Sequence, residues 1–422
     1  MSVNVHLIFG TGILIIAESV GLWIVFNVLN LPPNRGTEIF WLYQISIMTF
    51  IVSIIKSPLN SAIISFEKFG FYSYLSIFEA FVKLGGVYLL ISVPADTRLI
   101  IYALIILIIT VGCWGWAALY CKKNIQAIKY VPLWDKNLFK DLLAFNGWNM
   151  LGGISNITAN QGLNMIFNVF CGVAVNAAMG ICNQIFSTLS SFVSNFQTAF
   201  NPQITKSYAG GDRNEFFSFL FSTSRLSFCL MLCLGMPIIV CCGEIMKIWL
   251  GQVPQYAVPF TQLMLVFSLI DALSGPLWVS AQAAGNIKNY MLIMSGLIML
   301  NLPASILILW LGFSPVYVIL FRVILNLITH FVRIGYLSRL ICFPAMKYIK
   351  EAMLPTTLSV VISFPLSFLI KQLTHGIEGT IFTCLFSILI SAVTSYFIVL
   401  SNSERTYAIS VIKKLKHKIV CE

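Results

Sequence analysis

Apolar residues run along this chain in long blocks, with few of the alternations that mark a half-buried strand or a soluble amphipathic helix. Blocks such as 99–120 and 216–242 are each long enough to cross a hydrocarbon core of roughly 30 Å as helix. Read end to end, the blocks predict about twelve spans, near 5–30, 38–65, 71–93, 99–120, 142–170, 173–201, 216–242, 259–284, 287–312, 315–337, 352–371 and 378–401. Pro and Gly punctuate several boundaries, including Leu31-Pro32-Pro33 and Gly210-Gly211-Asp212. The first block has no basic segment before it and no small-residue cleavage site after it, so it reads as a span and not as a signal peptide. The expected class is an all-α integral membrane protein.

Composition sharpens this. Hydrophobic residues make up 58% of the chain and charged residues 10%, with a mean hydropathy of +0.89. A soluble domain carries roughly 25% charge. The net charge of +11 raises the question of nucleic acid, but the distribution answers it. Lys122, Lys123, Lys129, Lys136 and Lys140 crowd one loop, and Lys413, Lys414, Lys416 and Lys418 mark the tail. With the N-terminus in the cytoplasm, most Lys and Arg fall on the cytoplasmic side, as the positive-inside rule requires. Membrane lipids are therefore the expected surroundings, with no nucleic-acid partner. The eleven cysteines are scattered, none in zinc-finger spacing, and Cys241-Cys242 are adjacent. They read as small apolar residues, so no metal or cofactor is expected. There is no Walker A, Gly-x-Ser-x-Gly or His-Glu-x-x-His signature, and His6, His330, His375 and His417 are widely dispersed. No enzyme activity is expected.

The chain also repeats itself. Ser57-Pro58-Leu59-Asn60 returns as Gly275-Pro276-Leu277-Trp278, and Tyr72 and Tyr290 keep the same offset. Glu18 and Trp23 find counterparts in Glu244 and Trp249, equally spaced but shifted by a gap of about eight residues. The two Pro-bearing spans are separated by an even number of crossings, which gives two lobes of like orientation, an arrangement typical of transporters. The expected organisation is an N-terminal lobe of four helices over 1–120, a basic linker over 121–141, a six-helix lobe over 142–341, two appended helices over 342–401 and a basic tail over 402–422. The same offset places the start of the first lobe roughly 80 residues before Met1. On that count the first lobe is expected to be truncated by two helices and the chain insufficient for transport by itself.

Polar residues inside spans mark where chemistry would sit. Asn149, Asn156, Asn160, Asn164 and Asn168 fall within an arc of about 120° on one helix, and Asn176, Asn183 and Ser187 continue a milder polar face on the next. Such a stripe serves either as glue between helices or as the wall of a hydrated cavity, where amides suit sugar hydroxyls. Arg322, Asn326, Thr329, His330 and Arg333 share an arc of about 100°. Facing lipid would be costly for two arginines, so this face should look at protein or water, although Arg333 is close enough to the span end to snorkel to headgroups. Arg322 sits deeper and suits an anion contact. Asp271 is open to two readings, an ion pair with Arg322 or Arg225, or a site for a coupling proton or cation. Glu79 and Lys83 are in the favourable order for a helical pair. Glu18, Lys56 and Arg225 are further charges in or near spans.

One stretch goes beyond composition. Asn168-Val-Phe-Cys-Gly172, Val175-Asn176-Ala177-Ala178-Met179-Gly180-Ile181, Asn195-Phe196, Asn201-Pro202-Gln203-Ile204-Thr205-Lys206-Ser207-Tyr208-Ala209 and Gly211-Asp212 resemble the polysaccharide repeat-unit flippases. These are the O-antigen and capsular exporters of the multidrug/oligosaccharidyl-lipid/polysaccharide (MATE-like) superfamily. The similarity runs over nearly the whole chain apart from the family's opening two helices. Its most specific part, Asn201–Asp212, is expected to form a cytoplasmic loop in which Asp212 caps the next helix. Many relatives carry Arg where this chain has Met179, so no anion contact is carried over to that helix.

The resemblance implies a multi-pass protein of the bacterial inner (plasma) membrane. It would export, by alternating access, a polyprenyl-diphosphate-linked oligosaccharide for surface polysaccharide or lipopolysaccharide assembly. In that role Arg322 and Arg333, with Asn326 and His330, would contact the diphosphate. Asn156, Asn160 and Asn164 would face the glycan, and Asp271 would couple transport to H+ or Na+. Three alternatives stand beside it: a multidrug or cation antiporter, a membrane enzyme of polysaccharide assembly such as a polymerase or acyltransferase, and a truncated fragment without function. The antiporter would favour an acidic or aromatic cavity. The enzyme would need catalytic groups or a sizeable domain outside the bilayer.

Overall fold

In the computed structural model, residues 2–27, 36–94, 97–125, 136–285 and 287–406 are described. Of the linker predicted over 121–141, residues 126–135 lie outside the described residues and its two ends are helical; the tail from 407 and the side chain of Asn149 also lie outside them. All regular structure within them is helical. Among the described residues ten helices are long and apolar enough to cross a membrane. The two spans predicted over 142–170 and 173–201 are helices too, but the amides along them keep them below the hydropathy of the other ten. The chain divides into two compact units, Met1–Lys140 and Asp141–Glu422.

The first unit holds α1 (Ser2–Ile16), α2 (Leu22–Asn27), α3 (Gly36–Ser65), α4 (Phe69–Leu89) and α5 (Arg98–Asn124). Helices α3, α4 and α5 close on Ile63, Leu75, Cys113, Ala117 and Cys121, with Phe71 stacked on Tyr120. Glu79 accepts from Lys83 in the predicted helical pair and also from Lys56 of α3, both at 2.8 Å. A carboxylate shared by two lysines lets three charges lie within the bundle.

In the second unit α6 (Lys136–Cys171) and α7 (Val173–Ala209) form a hairpin with only Gly172 between them. Its φ of +82° turns the chain where a side chain would be strained. Then come α8 (Arg213–Val240), α9 (Cys242–Leu250), α10 (Ala257–Ala283), α11 (Lys288–Met299), α12 (Asn301–Trp310), α13 (Pro315–Leu340), α14 (Ala345–Tyr348), α15 (Leu354–Leu373) and α16 (Gly376–Thr394). Helix α10 is central, packed on α7, α8 and α13. Pro276 explains part of this packing. Having no N–H, it leaves the Ala272 carbonyl without an intrahelical donor, and the Gln197 side chain of α7 donates to that oxygen at 2.9 Å. Gly275 is what lets Gln197 in, because a Cβ there would fall 2.2 Å from its Oε1.

Helices α15 and α16 pack on each other and on α8 through buried Ser359, Ser363, Ser387 and Ser391, the small polar seam expected between membrane helices. Beyond α16, Glu404 accepts from Arg225 of α8 at 2.6 Å. This pair removes Arg225 as a partner for Asp271.

One expectation is corrected. The Asn201–Ala209 stretch is helix, the last turns of α7, and not a loop. Pro202 deletes a single backbone bond, while Ile204 and Tyr208 pack into the core and hold the helix together. Only the loop that follows is short, and there Asp212 caps α8 as predicted, accepting from the N–H groups of Asn214 at 2.9 Å and Glu215 at 3.1 Å. Between the spans predicted over 216–242 and 259–284 lies α9. This short amphipathic helix buries Cys242 and Met246 and exposes Ile248 and Trp249.

Candidate functional site

Helix α13 starts cleanly, with Ser314 as its cap and Pro315 in its first turn. Its outward face is apolar, and its buried face mixes polar side chains with apolar ones such as Ile319, Val323 and Leu337. Leu320, Ile324, Leu327, Ile328 and Phe331 point outward, whereas Arg322, Thr329, His330 and Arg333 are buried. The polar face looks at protein, as its cost in lipid predicts.

That face forms one wall of a cavity of about 280 Å3 inside the second unit. From α13 come Arg322, Asn326, Thr329 and Arg333, from α6 Gly152, Asn156 and Ala159, and from α10 Phe267, Asp271, Ser274 and Trp278. The far wall is the α11–α12 junction, with Met294, Ser295, Ile298 and Asn301. The helix breaks there because Pro303 cannot donate to the Met299 carbonyl. Ligand pockets run from roughly 300 Å3 upward, so this one suits a small group or one end of a larger molecule.

Arg322, only 7% exposed, is held on two sides. It donates to Asn160 Oδ1 and lies over the Phe267 ring with its guanidinium carbon 5.1 Å from the centroid. Asn160 is held in turn, because its amide nitrogen donates to the Asn156 carbonyl at 2.9 Å. Among the described residues, one guanidinium nitrogen of Arg322, Nη1, has no hydrogen-bond partner, nor has Nε of Arg333. Asp271 is open to the cavity and makes no ion pair with either arginine among the described residues. Two cations and one carboxylate therefore line the space, leaving it net positive. Asn326 is fixed by donating to the Phe267 carbonyl at 3.1 Å.

The structure divides the residues singled out in the sequence. Arg322, Arg333, Asn326, Asn156 and Asp271 meet at the cavity, and Asn160 orients Arg322 from behind. His330 lies beside the cavity without lining it, fully buried, with Nδ1 2.7 Å from the Ser274 hydroxyl. It positions a wall residue and does not reach the space itself. Asn164 faces α7, where Asn183 donates to its Oδ1 at 3.3 Å, so this part of the stripe joins helices. Arg333 does not snorkel and is 9% exposed. Asn301, Ser295 and Ser274 were missed. The available signal was Asn301-Leu302-Pro303 inside an otherwise apolar span, a polar side chain beside a helix breaker.

Among the described residues no group of His, Cys, Asp and Glu is arranged to hold a metal ion. Compared with protein-family models, curated proteins and solved structures, the chain matches none of them.

Proposed function

We propose that this chain is a membrane carrier that exports a polyprenyl-diphosphate-linked oligosaccharide from the cytoplasmic to the outer leaflet of a bacterial plasma membrane, for surface polysaccharide assembly. The observation that carries this reading is the pair of buried arginines on one cavity wall, each with an unpartnered N–H. A charge kept unpaired at membrane depth is costly and marks a pathway or binding site for the opposite charge. Arg offers a planar fork matched to phosphate oxygens. The surrounding Asn156, Ser274, Ser295 and Thr329 suit sugar hydroxyls, and a polyprenyl tail can remain in lipid. In this reading α6 and α7 complete twelve crossings, and the chain is two pseudo-repeated lobes with α15 and α16 appended. Alternating access of the cavity moves the cargo, and Asp271 is the group placed to take up a coupling H+ or Na+.

Asp271 also supports a second reading, a multidrug or cation antiporter, since a cavity carboxylate attracts cations. The net positive cavity weighs against it. Deleting the gene separates the two: the carrier reading expects loss of surface polysaccharide with unchanged drug accumulation. Retained polysaccharide with raised drug accumulation would favour the antiporter.

A further inference from the structure

We propose that Cys241 and Cys384 are a modification site, two thiols that are oxidised to a disulfide tying α16 to the outer end of α8. Cys241 joins α8 to α9 and is 1% exposed. It packs in the core shared by α7, α8 and α10, and the half-buried Cys384 of α16 closes on the same cluster. The two thiols hydrogen-bond each other, so their sulfurs are in direct contact although the residues lie far apart in sequence. Both are free thiols in this structure. A disulfide forms only between side chains already aimed at each other, because the sulfurs must approach to about 2.0 Å without a large backbone movement. The neighbouring Cys242 is turned away from this pair. Its thiol donates to the Val258 carbonyl at 3.9 Å, and it packs in a separate cluster with Cys182 and Met246. The adjacent cysteines therefore face different partners.

The place of the pair decides its redox state. With the basic tail in the cytoplasm, α16 runs inward from Gly376, so the turn between α15 and α16 lies on the outer side. Helix α8 has 28 residues. At 1.5 Å per residue that is about 42 Å, more than a hydrocarbon core of roughly 30 Å requires, so Cys241 reaches the outer headgroup level. Beside it is a cavity lined by Glu244, Lys371, Thr374 and His375, with Lys371 paired to Glu244 at 3.2 Å. That polar lining marks the water-facing end of these helices. In the bacterial plasma membrane of the reading above, this outer side is the oxidising one. The electron acceptor is a protein disulfide of that compartment. One thiolate attacks it to give a mixed disulfide, and the other then displaces the acceptor's sulfur. The two cysteines lose two protons and two electrons, and the acceptor leaves as a dithiol. The exchange takes place before α16 has packed on α8, since Cys241 is buried afterwards.

The test is a thiol map of the full chain taken from intact bacterial cells. Acid quenches thiol exchange, the unfolded protein is alkylated with N-ethylmaleimide, and its peptides are read by mass spectrometry. In most of the chains the expected product is a peptide pair joined through Cys241 and Cys384, two hydrogens lighter than the separate peptides and released by a phosphine. Cys242→Ser is expected to keep this pair, whereas Cys241→Ser and Cys384→Ser lose it. Recovery of Cys241 and Cys384 chiefly as N-ethylmaleimide adducts in the wild type overturns the proposal, and so does a bridge that survives Cys241→Ser. The wild-type map decides even if a variant fails to fold. The proposal takes only the membrane and its orientation from the carrier reading, so a map without the bridge leaves glycan transport standing.

Discussion

Replacing Arg322 by Ala is expected to abolish export of surface polysaccharide while protein abundance in the membrane stays normal. Removing one partner from a desolvated, charge-assisted contact costs about 2–5 kcal/mol, about 30-fold or more in affinity. Folding should be spared for a reason specific to this site. Among the described residues Arg322 has no carboxylate partner, so its loss strands no opposite charge. Its one side-chain acceptor is Asn160, whose amide nitrogen remains bonded to Asn156. Arg322→Lys keeps the charge but not the planar fork, and partial export is expected. Immunoblotting of membranes alongside surface-polysaccharide staining reads both quantities. Export at the wild-type level with normal abundance would remove Arg322 from the transport path.

The second large effect is on stability and lies away from the cavity. Arg225 is 7% exposed, and its charge is met by Glu404, which lies in the short helical segment over 402–406. Burial alone would raise the Glu404 pKa, but hydrogen bonds from Arg225, the Ser222 hydroxyl and the Ser401 N–H outweigh it and hold the carboxyl below its ordinary value. Glu404→Gln leaves Arg225 buried without a counter-charge, and breaking such pairs costs about 3–5 kcal/mol. A clearly lower melting temperature in detergent is expected at neutral pH. The sign of the pH dependence follows from the lowered pKa. The stabilisation is fully present above the ordinary carboxylate range and is lost as pH falls through the folded-state value. Wild type and Glu404→Gln should therefore converge toward acid pH. A constant gap between their melting curves down to acid pH would mean that the carboxylate charge is not what holds Arg225.

Much of this was legible in the sequence for a simple reason. Membrane helices satisfy their own backbone, so each long apolar block had to be a helix, and the block boundaries near Asp212 and Pro315 carry caps that act locally. The inward face of α13 was legible because lipid leaves two arginines no other place. What could not be read was decided by contacts between helices. The His330 side chain on that face is taken by Ser274, and Asn164 is taken by Asn183 across the Gly172 hairpin. The Asn201–Ala209 stretch looks like a loop because it is polar and contains Pro202, but Ile204 and Tyr208 anchor it as helix through residues distant in sequence. The cavity's far wall depends on the break at Asn301, where a single polar residue in an apolar span gives no periodic signal.

A net positive cavity that holds a diphosphate-linked glycan should select its lipid by charge. Native mass spectrometry of the purified protein with a short-chain polyprenyl-diphosphate oligosaccharide, set against the same glycan lipid lacking the diphosphate, reads this selection. The expected result is a one-to-one complex with the diphosphate lipid, loss of that complex in Arg322→Ala, and little binding of the neutral lipid by either protein. Equal binding of both lipids, or an Arg322→Ala protein that binds as the wild type does, would contradict it.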